Sequence, residues 1–201
     1  MTIKNVEVGH YSIPLPVVLS DSMHGDMASF ELMTARILDD EGREGLGYTY
    51  TLGAGARAIH SVMHSDMAPF LMDRDETRIE EIWHGLWWKL HYAGRGGLVI
   101  HALSAIDIAL WDLLGKRTSL PLWRLLGGAD PKVKAYAGGI DLMFSLDDLL
   151  AQTDQNLSKG FRAIKMKVGR DNLHEDVERI KTMRNHLGSG FPLMVDANMR
   201  W

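Results

Sequence analysis

No cysteine occurs in this 201-residue chain. Disulfides, thiolate metal sites and a cysteine nucleophile are therefore excluded, and the absence fits a reducing compartment. An excess of positive charge is lacking too. Lys and Arg number 22 against 26 Asp and Glu, a formal charge of −4 with His neutral, so the chain has no basic footprint for nucleic acid. The opening "MTIKNVEVGHYSIPLP" carries Lys4 and Glu7 and no continuous apolar run, which is not the pattern of a signal peptide. The most apolar stretch, "GGLVIHALSAIDIALWDLL", is interrupted by His101, Ser104, Asp107 and Asp112, and predicts a buried helix and not a membrane span. Internal repeats and low-complexity segments are missing. What is left has ordinary globular composition, 46% hydrophobic and 24% charged. It is long enough for one large domain or two small ones. The expected setting is cytoplasmic, with no nucleic-acid partner and no membrane. The twelve methionines read as flexible core filler.

The first fifty residues have strand grammar. "IKNVEVGHYSIPL" alternates and then meets Pro14 and Pro16. "SFELMTARILDDEGREGLGYTYT" reads as two strands around a turn at "DDEGREG". Between these stretches, residues 17–28 are polar and short-sided and read as a surface loop. From Ala54 the period becomes helical, with the acids of "RDETRIEEIW" marking a helix start and "SLPLWRLLGG" opening on proline and stopping on two glycines. The stretch "GGADPK", residues 127–132, is the best domain boundary.

Beyond that boundary the order is strand, helix, strand, helix, strand. Residues 133–140 are a strand candidate. "SLDDLLAQTDQNLSKG" is a helix capped by Ser145, "AIKMKVG" a strand, "DNLHEDVERIKTMRNHLG" a helix and "FPLMVDAN" a strand. Short connections in this order predict a parallel sheet or barrel with right-handed crossovers.

Two of these strands carry polar residues where apolar ones are expected. In residues 163–169, Ile164, Met166 and Val168 alternate with Lys165 and Lys167. The apolar side suits packing against helices, and the lysines then point the other way, toward a barrel interior. Burying an ammonium requires a partner anion or a lowered pKa, and an easily deprotonated lysine is a general base. An exposed edge strand whose lysines discourage aggregation is the plainer alternative. In "PLMVDANMRW", Asp196 and Asn198 share one side, while Leu193, Val195 and Ala197 take the other. A carboxylate there suits a hard cation such as Mg²⁺, or alternatively an N-cap for a following helix. Polar groups of matching parity at the C-terminal ends of two consecutive strands favour the chemical reading, because that end of a (β/α) barrel carries the active site.

The segment from "AIKMKVG" to "VDANMRW" resembles the K-x-K and D-x-N strands of the enolase superfamily, in its mandelate racemase-like branch. "HALSAIDIALWDLLGKRTSLPLWRLLGG" resembles the last helices of that family's N-terminal capping domain. The resemblance covers essentially the whole chain. It implies an α+β capping domain (antiparallel strands, then helices) over residues 1–128. The first part of a parallel (β/α) TIM-type barrel would follow over 129–201. In the family a Mg²⁺ ion binds the carboxylate of an acid sugar or related substrate, a base takes the α-proton, and the metal stabilises the enediolate.

Carried over, Lys167 matches the proton-abstracting base and Lys165 its neighbour at the substrate carboxylate, the pair lowering one another's pKa. Asp196 matches the first metal ligand and Asn198 a polar neighbour with a substrate-side role. His24, Tyr48, Tyr50 and Arg57 fall on loops, 19–29 and 48–57, that cover the substrate in the family. The implied activity is that of an acid-sugar dehydratase, with a racemase, epimerase or cycloisomerase as the alternative within the superfamily. Full-length members are expected to be homo-oligomers. About three of eight barrel strands are represented. The family's further acidic ligands and second acid/base group are therefore not in this sequence, and the polypeptide by itself is expected to be inactive, surviving at most as an assembly module.

Three weaker signals have bland readings. His60 and His64 have the spacing of a helical metal pair but no third ligand. Gly53 and Gly55 lack the third glycine and the Rossmann context of a dinucleotide loop. Trp83 and Trp87 share a helix face, which is most simply core, and with Trp88 would suggest a subunit interface if exposed.

Overall fold

A computed structural model describes all 201 residues. The chain forms two compact units, one of Met1–Pro14 with Ser29–Pro131 and the other of Leu15–Ala28 with Lys132–Trp201.

A three-stranded sheet runs in the order β1 (Ile3–Asp21), β2 (Gly25–Asp39) and β3 (Glu44–Thr51), and all of it outside Leu15–Ala28 belongs to the first unit. β2 and β3 are antiparallel with Leu38 opposite Glu44. The buried carboxylate of Asp39 closes their turn, accepting the backbone N–H groups of Glu41 at 2.9 Å and Arg43 at 2.8 Å. Helices α1 (Ala56–Val62) and α2 (Ala68–Leu71) flank a π-helical turn, Met63–Met67, and α3 (Ile79–Lys89), α4 (Leu98–Thr118) and α5 (Leu122–Leu125) follow. Glu80 and Glu81 occupy the first turn of α3, where acids suit the helix dipole.

α4 is the central helix. It is long and apolar enough to cross a membrane by length and composition alone, yet Ala102, Leu103, Ala105, Ile106, Ala109, Leu110 and Leu113 are buried in the core. Each fully buried leucine or isoleucine contributes about 1.5–3 kcal/mol. β3 lies directly on α4, because a Cβ at Gly45 would stand 2.0 Å from the Ala109 carbonyl oxygen and one at Gly47 2.0 Å from that of Ala105. Trp83 and Trp87 stack at 5.0 Å and are packed partly against this core, whereas Trp88 is exposed.

Residues 17–28 are not the surface loop their composition suggested. β1 continues through both prolines to Asp21, a three-residue turn follows, and β2 begins at Gly25. β1 is an edge strand, where proline is tolerated. Val17 and Val18 are both more than half exposed, so there is no buried face to impose an alternation on this stretch.

The second unit has a parallel sheet in the order β4 (Ala137–Gly138), β5 (Ile164–Lys167), β6 (Leu193–Asp196), with α6 (Leu146–Ser158) and α7 (Leu173–Leu187) between the strands. This is the βαβαβ order read from the sequence. Ser145 caps α6 by accepting Asp148 N–H at 3.1 Å. The core consists of Ala137, Leu149, Ile164, Met166, Val168 and Met183. The apolar side of "AIKMKVG" therefore packs as its period required. The strand expected over 133–140 shrinks to two residues, since only Ala137 and Gly138 find partners on β5 and Val133 is solvent-exposed.

Candidate active site

The parallel register of β5 and β6 sets Lys167 opposite Asp196 at the C-terminal ends of both strands. Lys165, two residues earlier, presents its side chain to the same side. The result is one carboxylate oxygen shared by two ammonium groups. Asp196 Oδ2 accepts from Lys167 Nζ at 2.9 Å and from Lys165 Nζ at 3.1 Å. Lys167 also donates to Asn198 Oδ1 at 2.6 Å, and the Asn198 N–H donates to Asp196 Oδ1 at 3.0 Å. Lys167 is 7% exposed, so this is not the water-facing edge strand of the plainer alternative. Lys165 lies 5.5 Å from the ring centre of Tyr136.

Asn198 does not reach this cluster by strand alternation. β6 ends at Asp196, and Asn198 and Met199 have φ of 45° and 61°, a left-handed turn that folds the asparagine back beside its own strand end. Nor does the outer side of β6 pack as expected, because Val195 is 45% exposed while Leu193 and Ala197 pack partly against the core.

The electrostatics also depart from expectation. Two adjacent ammonium groups alone lower one another's pKa, but here an anion sits between them. The hydrogen bond to Asp196 holds the Lys165 ammonium above its usual range. Asp196 is pushed well below the ordinary carboxylate range, first by the Lys167 hydrogen bond, then by the Asn198 N–H and Lys165. It is thus ionised at any physiological pH. An ionised, partly exposed carboxylate whose Oδ1 keeps a lone pair free is a suitable hard oxygen donor for Mg²⁺. No other acidic, His or Cys side chain joins Asp196 in a metal-binding group of three within this chain.

His24 lies in the same unit, on the turn between β1 and β2. Its Nδ1 is 2.9 Å from Oδ2 of Asp21, whose Oδ1 also accepts the Met23 and His24 N–H groups. The turn is fastened to the unit by Ser22 Oγ, which donates to the Ala197 carbonyl at 2.6 Å. Residues that follow the two strands line a cavity of about 350 Å³, with Gly169, Arg170 and Asn172 after β5, Arg200 after β6 and Ser22 from the hairpin. Tyr48, Tyr50 and Arg57 belong to the first unit. Both tyrosines are strand residues of β3, not loop residues, exposed on the face opposite Gly47. Arg57 is exposed at the start of α1 and lines a separate cavity with His10, Ser12 and Glu31.

Asp141, Asp176 and Arg179 escaped sequence reasoning. All three are buried charges around Lys167. Asp141 directly accepts the Lys167 backbone N–H, at 2.8 Å. Asp176 and Arg179 sit on a helix that otherwise reads as amphipathic and solvated, and no motif singles them out.

Comparison with known proteins gives the family. Residues 4–127 match the profile of the mandelate racemase / muconate lactonizing enzyme N-terminal domain, and residues 148–201 that of the enolase C-terminal domain-like family. The chain is 55% identical to 3,6-anhydro-alpha-L-galactonate cycloisomerase of Streptomyces coelicolor, over 99% of this chain and 55% of that protein. It is 36% identical to L-talarate/galactarate dehydratase of Salmonella typhimurium, over 94% of this chain and 49% of that one. The crystal structure of a racemase from Streptomyces coelicolor with bound magnesium superimposes with a TM-score of 0.96 at 55% identity, covering 99% of this chain and 56% of that one. L-talarate dehydratase from Polaromonas, complexed with Mg and L-glucarate, gives 0.91 at 34% identity, covering 100% and 55%. The chain spans about half the length of the curated relatives it matches.

Proposed function

This chain belongs to the mandelate racemase / muconate lactonizing enzyme family of the enolase superfamily, and on that premise we propose that it supplies the proton-abstracting machinery of an enzyme acting on acid sugars. The observation that carries the reading is the pair of lysines converging on Asp196 at adjacent strand ends, one of them buried.

In this proposal Lys167 is the base. Its buried Nζ, freed of its own proton, removes the proton α to the substrate carboxylate. Lys165 stays charged, as its raised pKa favours, and pairs with the carboxylate end of the substrate. Asn198 Oδ1 orients the Lys167 amine. Asp196 would hold Mg²⁺ together with oxygens from outside this cluster, and the ion, when bound, would supply positive charge for the negative charge that develops on the substrate carboxylate. A cytoplasmic homo-oligomer is the setting proposed, and the cysteine-free composition is what supports the compartment.

What leaves after proton abstraction separates two readings. In an acid-sugar dehydratase the β-hydroxyl departs as water. In a cycloisomerase acting on a 3,6-anhydro sugar acid, the β-oxygen belongs to the ring, so the same elimination opens the ring with no loss of mass. The 55% identity favours the second, and the dehydratase relatives favour the first. A fusion of residues 1–201 to the remaining part of the Streptomyces coelicolor relative tests both. Given Mg²⁺ in D₂O, it is expected to exchange the α-proton of an acid sugar, and mass spectrometry of the product distinguishes dehydration from isomerisation. Failure to exchange with hexonates, hexarates and anhydrohexonates alike would overturn the reading.

A further inference from the structure

β4 ends at Gly138, so the ladder on that side of β5 stops before Lys167. The Lys167 N–H is left without a backbone acceptor on that side, and the Asp141 carboxylate takes the place of one at 2.8 Å. Asp141 is 1% exposed. Its own position is set from α7. Arg179, 2% exposed, donates through Nη2 to the Asp141 carbonyl at 2.9 Å and through Nη1 to the Phe144 carbonyl at 2.7 Å. Its Nη2 is also 3.9 Å from Asp141 Oδ1. One helical turn earlier, Asp176 accepts the N–H groups of Gly169 and Arg170, the residues just past the Lys167 strand. Arg170 in turn donates to the Leu142 and Phe144 carbonyls.

The same loop holds the β1–β2 hairpin tip. Ser20 N–H donates to the Ile140 carbonyl, and Leu142 N–H donates to the Ser20 carbonyl. The segment 140–144 therefore joins the Lys167 backbone to the tip that carries Asp21 and His24, and the Arg179 fork holds that segment at the Asp141 end, with Arg170 on the Leu142 and Phe144 carbonyls.

We propose that Arg179 is a positioning residue: acting through Asp141, it sets the backbone of Lys167 and the hairpin tip in one register. This rests on the reading of Lys167 as the base. A buried arginine is a weak source of net stability, and here its Nε finds no hydrogen-bond acceptor within the chain, so geometry is what this side chain supplies. Displacing a reacting group by about 1 Å costs on the order of a hundredfold in rate.

The fusion enzyme with Arg179→Gln, Arg179→Lys, Asp141→Ala and Asp141→Asn tests this. Arg179→Gln and Asp141→Ala are expected to lower kcat for α-proton exchange on the order of tenfold to a hundredfold with KM unmoved. Arg179→Lys and Asp141→Asn, which keep a charge or an acceptor, should recover part of the loss. Amide hydrogen exchange at Lys167 should speed up in the same order. Wild-type kcat in a folded Arg179→Gln protein would overturn the proposal, as would losses that only follow the fraction unfolded. If Arg179→Gln does not fold, the Arg179→Lys and Asp141 variants decide the question by the same two readouts. Lys167→Ala that still exchanges would overturn the base assignment instead, and the amide measurement would continue to report on the Arg179–Asp141 link.

Discussion

Lys167 Nζ and Asp196 Oδ2 stand 2.9 Å apart across two parallel strands, and Lys165 Nζ reaches the same oxygen at 3.1 Å. The proposed base and the proposed metal ligand are thus hydrogen-bonded to one another. A divalent cation at Asp196 would compete with both ammonium groups for the same carboxylate.

Replacing Lys167 with Ala removes the proposed base and leaves Lys165, the residue proposed to pair with the substrate carboxylate. In the fusion enzyme it is expected to abolish α-proton exchange with D₂O while substrate still binds, read by NMR and calorimetry. General-base loss of this kind costs about 10²–10⁴ in rate. Lys165→Ala should weaken binding and turnover together, since it removes the group assigned to the substrate carboxylate.

Asp196→Asn keeps the shape of the side chain and removes its charge. Mg²⁺ affinity measured by calorimetry on metal-stripped fusion protein should fall steeply, because this ion relies on charged oxygen ligands. The fold should be little affected, since Asp196 is a third exposed and its ladder bonds are made by backbone. Full turnover in the presence of chelator would count against any metal role.

The close approach of β3 to α4 gives a stability test. Gly47→Ala drives a methyl group against the backbone of Ala105 and Ala109, which cannot yield as a side chain could. A loss of about 1–3 kcal/mol or more is expected in urea unfolding, the usual scale for overpacking. Gly96→Ala is the control, because nothing lies within 4 Å of that Cβ position and its φ is not in the left-handed region. It should change little.

The fold and the centre of the site were legible for different reasons. Period-2 alternation in "AIKMKVG" required Lys165 and Lys167 to leave the apolar face, and Ile164, Met166 and Val168 are indeed buried. Asn198 fell on the right side of its strand for the wrong reason, since a left-handed turn and not the pleat brings it to Lys167. Tyr48 and Tyr50 alternate with buried Gly47 and Thr49 along β3, so the strand was legible in the pattern, and the loop placement came from the family resemblance alone. Asp141 and Arg179 were invisible because their role depends on where a two-residue strand stops, a tertiary fact with no local signature.

Asp39 sets a pH dependence for the first unit that is independent of the site. Its side chain is fully buried, which alone raises a carboxylate pKa. Two backbone N–H groups, from Arg43 and Glu41, and the Arg43 guanidinium at 3.2 Å outweigh that burial and leave the pKa below the usual value. A depressed folded-state pKa means that the stabilisation is fully present above the unfolded-state pKa, near 3.9 for Asp, and is lost as pH falls through the folded value. Asp39→Asn leaves both N–H groups on the one oxygen they already share, now uncharged, and puts an NH₂ donor where Arg43 needs an acceptor. It is expected to cost on the order of 1–3 kcal/mol at pH 7, the scale of hydrogen bonds to a charged group. The gap to wild type should narrow as the pH is lowered below about 4, where the unfolded chain begins to take up a proton that the folded state still resists. Thermal unfolding of both proteins across pH 3 to 7 checks the sign, and a gap that widened on acidification would show that Asp39 is not held as the anion.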